Sequence, residues 1–336
     1  MELIKTLPGD FNFKEFVNVP EKLHPMNFIA HKEFERINTE FLESCYLVKD
    51  GAKLIGSIAL YNNPGHYYKG ERTCCVGYFH CTNDEKIVKI LVDAITEDVK
   101  RLNINYVIGP MNGTTWESYR FRISDNQFPF FLETANPIYY NDLFKASGFF
   151  EIQTYYSYLF NELEPRNESS LIREKQFVEK GIIFRDIRPE NYAEDMRKIF
   201  DLCLISFKNN LFFTPYTWES YIEKYKLLES FVKPELTMIA EDENKNVVGF
   251  IFIVDDIFCQ SAKRFVSKTY AVHPNEKYKG LGGVILQRMT ERLIKLGYTS
   301  GIHAYIMDGT VSSIVSSKNS EILRTYKLYA LNLNNN

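Results

Sequence analysis

The chain alternates strand-like runs with amphipathic helical ones, and it does so twice in nearly the same order. In the first pass, strands are read at CYLVKDG (45–51), KLIGSIALYN (53–62), TCCVGYFHC (73–81) and INYVIGP (104–110). Between the last two, Ile87, Ile90, Leu91, Ala94, Ile95 and Val99 recur at helical spacing. Thr82, with Glu85 three places on, forms a capping box that predicts where this helix starts. A short helix ending at Gly148 and a strand over 151–160 follow. The order begins again at GIIFRDI (181–187), with helices predicted over 190–207 and 217–231 and strands over 235–242, 247–256 and 264–274. A helix after Gly280 carries Leu281, Ile285, Leu286, Met289, Leu293 and Leu296 on one face and ends at Gly297. A strand over 300–307, a short polar helix or loop, and a closing strand over 321–331 complete the chain. Strands and helices in this alternation predict an α/β class with a mixed sheet, and the doubled order predicts an internal duplication of fold.

The polar stretch NELEPRNESSLIREK (161–175), which contains Pro165, is the best linker candidate. It divides the chain into domains at 1–162 and 179–336, joined by 163–178. A length of 336 residues suits two domains of ordinary size.

Composition excludes several function classes. A net charge of −3 gives no general basic surface, so nucleic acid is not an expected partner. No apolar run approaches the roughly 18 residues of a spanning helix, so no membrane is expected either. The acidic start MELIKTLPGDFNFKEF lacks the apolar stretch of a signal peptide. Six cysteines stand without CxxC pairs or metal-like spacing. We therefore expect free buried thiols, no metal and a cytoplasmic location, where the sequons at Asn112 and Asn167 carry no glycan.

The stretch AVHPNEKYKGLGG (271–283) ends a predicted strand and opens a predicted helix. Glycine costs about 1 kcal/mol in a helix interior, so three of them at a helix start point to a task other than stability. Free N–H groups and the helix dipole make such a start an anion site, and Lys277 and Lys279 add cations on the approach. The dinucleotide fingerprint fails because Ile285 stands where its third glycine belongs, and Ile285 with Leu286 excludes a P-loop.

The stretch resembles the acyl-coenzyme A signature of the GNAT acetyltransferase superfamily, [QR]xxGxG or [QR]xxGxA after a V-x-P strand end. Val272-His273-Pro274 supplies the strand end and Lys277-Tyr278-Lys279-Gly280-Leu281-Gly282 the loop, with lysine in place of Gln or Arg. That departure keeps the cation and loses a bidentate donor. The resemblance implies tandem GNAT-like folds and acetyl-CoA, or another acyl-CoA, as co-substrate. It implies that the backbone of Lys277, Tyr278, Lys279, Gly280, Leu281, Gly282 and Gly283 holds the pyrophosphate, that Ala271 and Val272 pair with the pantetheine, and that Asp308 stands for the superfamily's pantetheine-contacting Asn. In the first half, IYYNDLFKASGFF (138–150) is similar to the superfamily's closing helix. Its would-be loop, HCTNDEK, has no glycine and places Asp84 and Glu85 at the helix start, so this half is expected to be degenerate and to bind no coenzyme A.

Acyl transfer to an amine needs a proton acceptor and a donor for the departing thiolate. The superfamily's usual glutamate and tyrosine positions are Val266 and Val315 here. Tyr270, His273, His303, Tyr305 and Asp308 remain near the expected splay of strands. Tyr270 and Tyr305 are the first choices for catalysis because a phenol relays protons through water. The acceptor, a small-molecule amine, is expected between the domains. Its walls are read in NNLFFTPYTW (209–218) and GPMNGTTW (109–116), with Asn112, Thr115, Trp116, Phe213, Tyr216 and Trp218 as contacts. The leading expectation is an acyl-CoA-dependent N-acyltransferase, and the alternative is a catalytically silent coenzyme A-binding or interaction protein of the same fold.

Overall fold

In the computed structural model, residues 1–24, 37–125 and 127–335 are described. The strands are β1 (Glu2–Thr6), β2 (Leu42–Asp50), β3 (Lys53–Tyr61), β4 (Glu71–Cys81), β5 (Tyr106–Gly109), β6 (Phe150–Phe160), β7 (Ile183–Asp186), β8 (Thr237–Glu241), β9 (Val247–Asp255), β10 (Arg264–Val272), β11 (Ser300–Met307) and β12 (Glu321–Asn332). Two-residue strands at Tyr67–Tyr68 and Phe121–Arg122 are additional. The helices are α1 (Phe13–Val17), α2 (Val19–Leu23), α3 (Glu85–Arg101), α4 (Tyr139–Ala146), α5 (Glu168–Glu179), α6 (Tyr192–Ser206), α7 (Trp218–Lys226), α8 (Leu281–Lys295) and α9 (Val311–Ser316). The mixed α/β class and the doubled element order are both present.

The chain forms two compact units. The first takes Met1–Tyr155, Leu211–Thr214 and Arg324–Asn336; the second takes Tyr156–Asn210 and Pro215–Leu323. The units are therefore not contiguous in sequence, and most of the expected linker, 163–178, is the helix α5. Asn167 caps that helix by accepting from the Ser170 N–H at 2.9 Å.

Within the first unit the strand order is β1-β2-β3-β4-β5-β12-β6, with residues 324–332 of β12 and 150–155 of β6 taking part. β12 runs antiparallel to β5, with Tyr329 opposite Gly109 and Leu331 opposite Val107. α3 and α4 cover one face. Ile87, Val88, Leu91, Val92, Ile95 and Val99 of α3 pack with Leu143 and Phe144 of α4 and with Tyr329 and Leu331 of β12. The start of α3 corrects the expected capping box. Asp84 is the N-cap and accepts from the Lys86 N–H at 2.9 Å. Thr82 is still engaged with β3, its N–H bonded to the Ile55 carbonyl, and is too far out to cap. Asp98, buried on α3, accepts from Lys5, Ser44 and Tyr46, which ties β1 and β2 to the helix.

Within the second unit the order is β6-β11-β10-β9-β8-β7, with β6 contributing residues 156–160. Leu281, Val284, Ile285, Met289 and Leu293 of α8 bury against Met238, Ile251, Ile253 and Phe265, and Phe177 of α5 joins the same cluster. This is the apolar face read from the sequence. All six cysteines are free, and five are buried. Burial pushes Cys45, Cys74 and Cys81 up to about 12, so these thiols are packing groups. Among the described residues no helix is long and apolar enough to cross a membrane, and no cluster of His, Cys, Asp or Glu has metal-binding geometry.

Candidate active site

The second unit's candidate site begins where two parallel strands part. β10 and β11 pair from Arg264/Ser300 to Ser267/His303, and the pairing stops there. β10 runs on to Val272, held on its other side by β9 through Tyr270/Ile251, Ala271/Phe250 and Val272/Gly249. Past that point the edge of residues 269–272 that faced β11 is left without a strand partner, the arrangement into which an extended amide-bearing chain can dock.

From Val272 the chain turns through a one-turn helix at Glu276–Tyr278 and enters α8 at Gly280. The turn is anchored from below. The Tyr278 hydroxyl donates to Asp242 at 3.2 Å, and Asn275 accepts from the Lys277 N–H at 3.0 Å. Burial pushes the Asp242 carboxyl up, yet hydrogen bonds from Asn246, Tyr278 and Asn244 outweigh it and hold the group below the ordinary range. Asp242 therefore stays charged and fixes the loop. Gly280 has φ +92°, a left-handed conformation that glycine adopts without strain. No side chain caps α8 and no acidic residue lies in its first turn, so the first N–H groups stay open. Lys277 and Lys279 are exposed beside it.

The glycines divide their labour. A methyl group at Gly282 would collide with the hydroxyl of Tyr270, whereas at Gly283 it would meet open space. The Tyr270 hydroxyl thus lies against the loop, and burial pushes its phenol up. Tyr305 lies on β11 with φ 62°, an unusual conformation for a non-glycine residue, and its N–H donates to Ser157 Oγ at 3.2 Å. Lys268 stands 5.1 Å above its ring. His303, at the vertex of the splay, bonds Ser316 Oγ at 3.0 Å and is lowered to about 4 by burial. Asp308 is exposed beyond the end of β11 and accepts from the Gly309 N–H.

The first unit has the same parting of strands and closes it. β4 and β5 pair from Thr73/Tyr106 to Cys75/Ile108. Past that point Met111 donates its N–H to the Val76 carbonyl at 2.7 Å, and the Asn112 amide oxygen accepts from the Tyr78 N–H at 2.7 Å. A methyl group at Gly77 would collide with Asn112 and Met111. The Met111 backbone and the Asn112 side chain therefore fill the gap, and Asp84 caps the helix start that Gly280 leaves open in the other unit.

The expected acceptor residues fall in both units. Asn112 is buried and its amide is used in the plug. Trp116 and Phe213 meet in the first unit with ring centroids 5.6 Å apart, and the Trp116 indole N–H donates to the Thr214 carbonyl at 2.9 Å. Thr115 is half-buried in the same loop. Tyr216 is buried in the second unit. Trp218 packs there against Phe200 and Tyr221 under Arg197, as part of the α6–α7 core. One residue beside the loop escaped the sequence reading: a methyl group at Gly280 would come within 3.2 Å of Arg173 Nη1, on α5.

No family model matches the chain, and neither does any curated protein. Solved structures do. A GCN5-related N-acetyltransferase from Sphaerobacter thermophilus aligns with TM-score 0.53 at 12% identity, over 98% of this chain and 96% of that one. A tandem GNAT protein from the clavulanic acid biosynthesis pathway aligns with TM-score 0.53 at 11% identity, over 99% and 98%. The glucosamine N-acetyltransferase region of a fungal multi-domain GH3 β-N-acetylglucosaminidase aligns with TM-score 0.57 at 12% identity, over 98% of this chain and only 38% of the fungal one. This likeness shows the fold: the chain is a GCN5-related N-acetyltransferase fold in its two-domain, tandem form.

Proposed function

We propose that this chain is an acyl-coenzyme A-dependent N-acyltransferase for the amine of a small molecule, with the second unit holding the donor. One observation carries the reading: the uncapped glycine start of α8 directly follows the stretch of β10 that has lost its strand partner. An anion-binding helix start and an open strand edge in sequence suit a ligand with a diphosphate and an amide-bearing arm. Acyl-coenzyme A supplies a thioester carbon open to attack by a neutral amine. The chain's part is to orient that arm along residues 269–272 and to move protons away from the amine. Tyr305 is the residue we assign to the proton relay. Its strained backbone and the neighbouring Lys268 support this, while Tyr270 serves the loop. Trp116 and Phe213 are the acceptor candidates that geometry brings into contact. The neighbour described as a glucosamine N-acetyltransferase region supports a small amine as acceptor.

Calorimetric titration with coenzyme A, followed by thiol release from acetyl-CoA in the presence of an amine library, tests the proposal. Binding with amine-dependent thiol release is expected, and no heat at millimolar ligand overturns it. A second reading, a coenzyme A binder without turnover, is favoured by one feature. Val266 is fully buried between Val254 and Ile302, and Val315 is an exposed apolar group, so neither offers a proton where the superfamily usually carries one. Binding without thiol release identifies that case.

A further inference from the structure

Ion pairs join α8 to α5 and to the segment just before it, and one runs within α8. Arg166 pairs with Glu174 and Glu291, Arg288 pairs with Glu174, and Lys295 pairs with Glu291. Arg292, further along α8, pairs with Asp186. Every one of these cations has a carboxylate. Arg173, on the same helix α5, makes no hydrogen bond or ion pair with any described residue. Its guanidinium lies over Gly280, where an added methyl group would come within 3.2 Å of Nη1, 3.4 Å of Cδ and 3.6 Å of Cζ. Gly280 therefore does two things: its left-handed backbone turns the chain into α8, and its missing side chain leaves the space over which the guanidinium lies.

We infer that Arg173 is a binding residue for the diphosphate of the acyl donor, supplying from α5 the planar two-pronged donor that the loop itself lacks at Lys277; the inference rests on the coenzyme A reading above. An ammonium is a point charge, whereas a guanidinium meets two phosphate oxygens at once. A long exposed arginine loses side-chain entropy when it is fixed, and a phosphate that accepts two charged hydrogen bonds offsets that cost. The place of Arg173 in a helix preceding β7 also gives α5 a role in binding.

The test uses the full chain and three ligands: coenzyme A, dephospho-coenzyme A and pantetheine. Arg173→Gln is expected to weaken coenzyme A and dephospho-coenzyme A alike, by roughly ten- to a hundredfold, and to leave the weak binding of pantetheine unchanged. Lys175→Gln, an exposed charge removed two residues away, is expected to leave all three unchanged. Arg173 is exposed, so both variants should keep the wild-type melting temperature. Wild-type affinity in Arg173→Gln overturns this inference while leaving the donor site standing. A loss confined to coenzyme A overturns the diphosphate assignment in favour of the 3′-phosphate. A wild-type chain that binds no coenzyme A overturns the underlying reading and this inference with it.

Discussion

The two units answer the same architectural question in opposite ways. Each has a pair of parallel strands that part, and each has a helix that starts beside the gap. In the first unit, Met111 and Asn112 fill the gap and Asp84 satisfies the helix start. In the second, the edge of 269–272 has no strand partner and Gly280 leaves the helix start uncapped. The lesson concerns satisfaction of backbone groups. A fold that generates unpaired N–H groups covers them with its own chain or leaves them to water or a ligand, and the choice turns on a few residues.

The largest expected difference between the units is in acid. His66 and His80 of the first unit are lowered to about 4 and about 3 by burial, and His303 of the second to about 4. A histidine whose folded pKa is depressed leaves full stability above its unfolded value near 6.5, and stability is lost as pH falls below that. Each contributes a loss of about 1.4 kcal/mol per pH unit in this window. Melting temperature should therefore drop steadily from pH 6.5 toward 4. Replacing His66 and His80 by Gln should flatten the slope more than replacing His303; an equal or reversed effect breaks the comparison.

Next in size is the proposed donor loop. Gly283 faces open space, so Gly283→Val should cut coenzyme A affinity by about a hundredfold, or about 2.7 kcal/mol, with no change in melting temperature. Gly282 is a poorer choice because a side chain there strikes Tyr270 before it meets any ligand. Titration of the wild type should give one coenzyme A per chain, and a stoichiometry of two would show that the first unit is not closed.

Smaller effects test the plug and the cap. Asn112→Ala leaves the buried Tyr78 N–H without its acceptor and should cost about 1–3 kcal/mol in urea unfolding, without creating a second donor site. Asp84→Ala removes a helix cap and should cost about 0.5–2 kcal/mol. If either variant binds a second equivalent of coenzyme A, the closure we describe depends on that residue alone.

The order of strands and helices was legible because periodicity reports which face of an element is buried. The helix from Leu281 and the strand ending at Val272 were read almost to the residue. The glycine loop was legible because glycine at a helix start is conspicuous. Arg173 was not, since Pro165 and the surrounding polar residues hid a short helix whose one local signal is Asn167 before Glu168. The plug was hidden too: Met111 and Asn112 sit in a loop, and nothing local says that the loop folds back between strands. β1, α1 and α2 are short elements whose residues show little periodicity. Least legible was the partner of the last strand, because alternation of side chains identifies a strand and not its neighbour.

That last strand has a consequence for how the molecule is made. Residues 324–332 lie within the first unit's sheet, beside β5, with Tyr326, Leu328, Tyr329 and Ala330 buried. During synthesis the ribosome delivers Tyr155 and then some 170 further residues before Arg324 emerges, on the order of ten to thirty seconds. For that interval the amino-terminal half is an open sheet with an exposed edge, the state in which nascent chains recruit chaperones or pair wrongly. Truncation at residue 323 should accordingly be felt first in the sheet built by residues 1–155.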